Sequence, residues 1–217
     1  MSSHIVEAIL KALKTDKPLR THDIRAIGLK FYKEIKGLSF EEILDLCESM
    51  LQKRIWPLSM IAYDWAYRQR RYYTKETFKR FEAWQFNYIK DWYDCDDFNT
   101  HAFGYLLVMY PQLSHQILSW ATHESFAVRR AMAVVLILPI KKDVKGLIDP
   151  FVVSDILMHD PHYLVTKGYG WMLKIYMSKA EENVSMYLKK HKEEMPRLAY
   201  RYAIENLPKE KRAIFLS

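Results

Sequence analysis

SFAVRRAMAVVL (125–136) and HYLVTKGYGWML (162–173) read as two copies of one pattern, offset by about 37 residues. In this alignment Arg130 falls on Lys167, Ala131 on Gly168, Ala133 on Gly170, Val134 on Trp171 and Leu136 on Leu173. An offset of this size is that of a two-helix repeat. Small residues at alternating positions let neighbouring helices approach closely, and stacked repeats bring matching positions into line. Arg129, Arg130 and Lys167 would then belong to a basic row able to follow a phosphate backbone. Taken singly, the same three residues read equally well as solvated surface charges.

Outward from this pair the chain keeps a helical rhythm. In SFEEILDLCESMLQKR (39–54), Phe40, Ile43, Leu44, Cys47, Met50 and Leu51 fall on one helix face, and Ser39 with Glu42 forms a capping box. TKETFKRFEAWQFNYIKDW (74–92) predicts another helix, with Thr74 as its N-cap. Further helices fit 3–14, 23–36, 56–72, 98–109, 112–121, 126–138, 150–158, 162–177, 181–191 and 195–206. Alternating polarity is nearly absent, and six glycines and eight prolines are few for 217 residues. The chain reads as all α, in one domain over 1–217.

Composition narrows the classes of function. Half the residues are hydrophobic, which is ample for a packed core, yet no apolar run reaches the roughly 20 residues of a membrane span. Glu7 and Lys11 interrupt any secretory signal pattern, and Cys47 and Cys95 make no disulfide framework, so a cytoplasmic protein is expected. Phosphate-loop, dinucleotide and nucleophile-elbow motifs are absent. No metal site or cofactor is indicated, because the aspartates at 91, 94, 96 and 97 lack the glycine and distal glutamate of a calcium loop. Lysine and arginine exceed the acids by 33 to 26, for a formal charge of +7. Against that excess, DWYDCDD (91–97) concentrates acid among aromatics.

Three segments together carry a resemblance over roughly residues 20–212. DWYDCDD resembles the W-W-D-x-x-D stretch of the AlkD-like DNA alkylation repair proteins, and FAVRRAMAVVL their arginine-bearing repeat helix. The segment from Leu164 to Pro208 is similar to their C-terminal part, where a K-A-I-G-W helix leads into a further pair. The resemblance implies a right-handed superhelix of HEAT-like antiparallel repeats, an α-solenoid. It also implies a monofunctional glycosylase that releases cationic N3- or N7-alkylated purines from double-stranded DNA, as a monomer without a cofactor, and nucleoid-associated when bound. Position by position, Asp97 matches the catalytic carboxylate, Trp92 and Tyr93 the paired tryptophans, and Trp171 the G-W tryptophan. Arg129 or Arg130 matches a backbone contact. Tyr93 departs from the family tryptophan, and Asp96 makes the acidic cluster denser than the family pattern.

The residue types suit that chemistry. An alkylated purine leaves as a neutral base and needs no general acid, so the remaining task is to stabilise positive charge on the sugar and to orient water. A fixed carboxylate at Asp97 would do both. Aromatic faces at Tyr93 and Trp171 would favour a cationic base by about 0.5–2 kcal/mol. Asp97 can also be read as the N-cap of the helix starting at Phe98, and Asp91 and Asp94 as helix-end residues. Arg197 and Arg201, four apart in the C-terminal part, form a second candidate phosphate contact. Two further readings use the same scaffold: a DNA-binding module without excision, and a protein-binding repeat surface.

Overall fold

The computed structural model describes residues 2–216, with side chains from residue 4 onward. Among these every regular element is helical and no strand occurs. Packing divides the chain into two compact units, Met1–Ile89 and Lys90–Ser217.

The first unit holds α1 (Ser2–Leu13), α2 (Thr21–Glu34), α3 (Phe40–Gln52), α4 (Trp56–Arg68) and α5 (Thr77–Asn87). α3 starts at the expected box. The Glu42 carboxylate accepts from the Ser39 N–H at 2.8 Å, and the Ser39 hydroxyl accepts from the Glu42 N–H at 3.3 Å. Two otherwise orphaned helix donors are thereby satisfied. Its Ile43, Leu44, Cys47, Met50 and Leu51 are buried, and α3 and α2 both pack on α4. Arg80 of α5 spans three carboxylates of α3, Glu41 at 3.1 Å, Asp45 at 2.6 Å and Glu48 at 3.1 Å.

The helix expected over 74–92 is shorter, and Glu76 rather than Thr74 stands at its N-cap. α5 ends at Asn87, and Trp92 opens the next helix. Asp91 makes the break: its backbone is extended, and its side chain accepts from the Trp92 N–H at 2.7 Å. This local bond competes with continued winding. The stretch 56–72 likewise ends as α-helix at Arg68 and closes in a single 3₁₀ turn, Arg70–Tyr72.

The second unit holds α6 (Trp92–Phe98), α7 (Gly104–Met109), α8 (Phe126–Val134), α9 (Ile137–Lys141), α10 (Pro150–Leu157), α11 (Tyr163–Met177), α12 (Glu181–Lys190), α13 (Arg197–Ala203) and α14 (Lys209–Leu216). Residues Pro111–Thr122, expected as α-helix, wind as 3₁₀. The run expected over 126–138 is divided between α8 and α9, with Pro139 in the first turn of α9 where its missing N–H costs nothing. α6 packs on α8, α8 on α11, and α11 on α13, so these four helices form a row. Segments 111–122 and α10 cover α8, while α9 and α12 cover α11. The unit is a stack of helical repeats, and the two sequence copies are its neighbouring helices α8 and α11. Their N-caps, Ser125 and His162, occupy equivalent positions.

The small residues of the repeat act as expected at α11. A Cβ on Gly170 would lie 2.8 Å from Tyr202 Cβ and 2.9 Å from both Cα and O of Ala199, so α13 seats directly on the α11 backbone. Gly170→Ala is therefore expected to lower stability. The gain in helix propensity, about 1 kcal/mol, is outweighed by overpacking against main chain, about 1–3 kcal/mol. A fall in the urea midpoint with an unchanged m-value would show it; a rise would mean the two helices separate at little cost.

Candidate nucleic-acid site

The acidic cluster sits on α6, the first helix of the row. α6, a π-helical turn over Asn99–Phe103 and α7 form one continuous helical run, with Phe98, Asn99, Phe103 and Gly104 all in right-handed helical conformation. Asp97 thus lies inside a helix, in the last turn of α6, and is not the N-cap of a helix starting at Phe98; Asp91 is the cap. A π turn widens the helix and loosens its usual carbonyl pairing. Here three consecutive side chains cover three consecutive carbonyls one turn back. Asn99 Nδ2 donates to Cys95 O at 2.9 Å, Thr100 Oγ1 donates to Asp96 O at 2.6 Å, and His101 Nδ1 lies 2.9 Å from Asp97 O. A Cβ at Gly104 would fall 2.4 Å from Asn99 O, so only glycine fits where the widened turn closes.

The four aspartates have separate roles. Asp91 caps α6. Asp94 is buried in the first helical turn, where a carboxylate meets the positive end of the helix dipole. Asp96 receives a two-pronged ion pair from Arg130 of α8, Nε to Oδ1 at 2.9 Å and Nη2 to Oδ2 at 3.0 Å. Burial raises the Asp96 carboxyl above its ordinary range against the pull of the guanidinium, and burial acts on Arg130 too, whose cationic form Asp96 upholds. The two short bonds keep the pair ionic at neutral pH. Asp97 is only 12% exposed and lies 3.4 Å from His101 Nδ1. One turn before it, Tyr93 occupies the same helix face. Tyr93 and Trp92 are both exposed and meet edge to face, with centroids 5.9 Å apart. The Tyr93 hydroxyl is pushed up by burial and by the carboxylates of Asp94 and Asp91. Burial also pushes the Cys95 thiol up, so it is no nucleophile.

The basic residues depart most from expectation. Arg130 is 5% exposed and committed within the protein: besides Asp96, its Nη1 donates to the Leu164 carbonyl of α11, and its stem lies against Gly168. Arg129 is spent as well, on Asp160 at 2.5 Å and 3.2 Å and on the carbonyls of His123 and Glu124. Lys167, the repeat partner of Arg130, leans over the rings of Tyr163 at 5.3 Å and Tyr202 at 6.0 Å. The aligned cations thus act first as braces, each reaching the next helix of the row. Trp171, one turn beyond Lys167 on α11, is half-buried, as is Lys167 itself. Arg197 and Arg201 of α13 are exposed. Among the described residues no helix is long and apolar enough to cross a membrane, and no set of histidine, cysteine and carboxylate side chains is grouped to hold a metal.

A model of the DNA alkylation repair enzyme family matches residues 17–207. The chain belongs to the DNA alkylation repair enzyme family. The family match supports a role in DNA repair, with DNA as the partner. The fold is similar to that of the solved structure of a "predicted DNA alkylation repair enzyme" from Enterococcus faecalis. The TM-score is 0.75 at 17% identity, over 96% of this chain and 95% of that one. No curated protein matches this DNA alkylation repair enzyme family member in sequence. His101 escaped the sequence reading, although its spacing of four from Asp97 on a helix was a usable signal.

Proposed function

We propose that this protein is a DNA glycosylase that excises cationic N3- or N7-alkylated purines from duplex DNA, with Asp97 stabilising the developing oxocarbenium ion. The observation that carries this reading is the placement of Asp97. Its carboxylate is largely withdrawn from solvent, on the same face of α6 as the Tyr93 ring. A charge in such a setting acts on a neighbouring cation with less dielectric screening than in water. Tyr93, Trp92 and Trp171 offer ring faces to the charged base. Arg197, Arg201 and the half-buried Lys167 are the phosphate contacts, Arg129 and Arg130 being committed within the protein.

The direct test is release of 7-methylguanine or 3-methyladenine from methylated duplex by the wild-type protein. Release supports the reading; none on either substrate would leave DNA binding without excision as the better one. Binding has its own test. Duplex affinity should fall steeply with salt, by a factor of about 0.9 in log–log slope for each phosphate neutralised. The double variant Arg197→Gln, Arg201→Gln should lower that slope by about 2. An unchanged slope removes α13 from the interface.

A further inference from the structure

We propose that the cavity between α13 and α14 binds a phosphomonoester carried on a nucleoside, from a free mononucleotide or from the end of a DNA strand. This goes beyond the excision reading and holds whether or not the chain excises bases. The cavity has a volume of about 420 Å³, within the roughly 300–1,000 Å³ of ligand sites. Three cations line it, Lys192 from the segment before α13, and Arg197 and Arg201 of α13 itself. Against them the lining sets one carboxylate, Glu193.

Several cations of this unit are spent within the protein: Arg129, Arg130, Lys174 and Lys211 are each paired with a carboxylate. Among the described residues Lys192, Arg197 and Arg201 have no such partner. Arg197, Tyr200 and Arg201, at spacings of three and four, share one face of α13. Tyr200 adds a neutral donor to the two guanidinium groups. It lines the same cavity, is 6% exposed, and its buried hydroxyl has no hydrogen-bond partner among the described residues. A buried hydroxyl left unpaired is costly, and a ligand oxygen would remove that cost. Burial pushes this hydroxyl above its ordinary value, so it keeps its proton.

The lining also selects among phosphates. Its three cations less Glu193 leave a charge of +2. A phosphomonoester carries about −1.5 to −2 at pH 7, whereas each internal phosphodiester of a duplex carries a single charge. Arginine forks match the phosphate oxygens. For the nucleoside there is an apolar part of the lining: Phe215 of α14 meets Tyr200 edge to face, with centroids 6.4 Å apart, and Met195 is buried beside the cavity.

Calorimetric titration with 2′-deoxyguanosine 5′-monophosphate tests the site, with deoxyguanosine and inorganic phosphate as controls. The mononucleotide should bind about ten-fold tighter than either, since each control lacks half of the contacts. Tyr200→Phe should weaken it about ten-fold, the worth of a hydrogen bond to a charged group. The thermal midpoint of that variant without nucleotide should hold or rise, because an unpaired buried hydroxyl is gone. Lys192→Gln, at an exposed side chain, should weaken binding by a similar factor. Single strands of about ten nucleotides, with and without a 5′-phosphate, distinguish the sources. A preference of about ten-fold for the phosphorylated strand assigns the site to strand ends; equal affinity beside tight mononucleotide binding assigns it to the free nucleotide. No mononucleotide binding together with equal affinity for the two strands would overturn the proposal, and so would wild-type affinity in Tyr200→Phe and Lys192→Gln alike. Base release and the salt slope of duplex binding are read separately, so either reading can fail without the other.

Discussion

Asp97→Asn is expected to lower single-turnover excision of 7-methylguanine by about a hundred- to thousand-fold, the range for removing one preorganised electrostatic contact to a transition state. The substitution keeps the shape and removes the charge. Loss should appear in the chemical step, because the carboxylate opposes a charge that exists only as the glycosidic bond stretches. Duplex affinity should hold or rise slightly, since a negative group near phosphates is gone. Asp96→Asn is the informative comparison: its carboxylate serves Arg130, so its effect should fall on stability rather than on the chemical step. If Asp97→Asn retains the wild-type rate, the carboxylate has no part in the reaction and the cluster is structural throughout.

Arg130→Met is expected to cost about 3 kcal/mol in unfolding free energy at pH 7. Breaking a buried pair by removing one partner typically costs about 3–5 kcal/mol, and the 22% exposure of the Asp96 side chain sets the lower end. Three helices lose a common tie, because the guanidinium joins α6 and α11 through α8. The pH dependence has a definite sign. Burial already raises the Asp96 carboxyl in the folded state, and without the guanidinium it rises further. A carboxyl raised by folding binds its proton more tightly in the native state, so stability falls as pH rises through the window above the ordinary carboxylate range. The deficit of Arg130→Met should therefore be largest at neutral pH and shrink on acidification. Asp96→Leu in the same chain should restore much of the loss, since an apolar pair replaces a lone buried charge. Urea titrations at several pH values measure all three. A deficit that grows with acid would mean the pair is not what holds these helices.

How much of the molecule was legible in its sequence depends on the range of each interaction. The Ser39–Glu42 cap spans three residues, and the α8–α11 correspondence is a periodicity; both could be read directly. The roles of Arg129 and Arg130 could not, because Asp160 and Asp96 lie 31 and 34 residues away and nothing local points to them. The 3₁₀ winding of Pro111–Thr122 was hidden because Leu113, Ile117 and Trp120 are spaced four and three apart, as on an α-helix. The position of Asp97 was missed for a different reason. DDFN looks like a helix start, whereas the start had already occurred at Asp91 and the run continues through a wider turn.

That wider turn lets the chain carry one more residue without turning α7. Each residue of a regular helix advances the winding by about 100°, whereas a π turn spreads one turn over about one residue more. Deleting one residue between Asn99 and Phe103 would let the run close into ordinary winding without breaking it. Leu106 and Leu107, both fully buried, would then stay on the core face, because the shorter run covers nearly the same angle. The surplus residue is absorbed in the width of the turn, and the two halves of this helical run keep their phase.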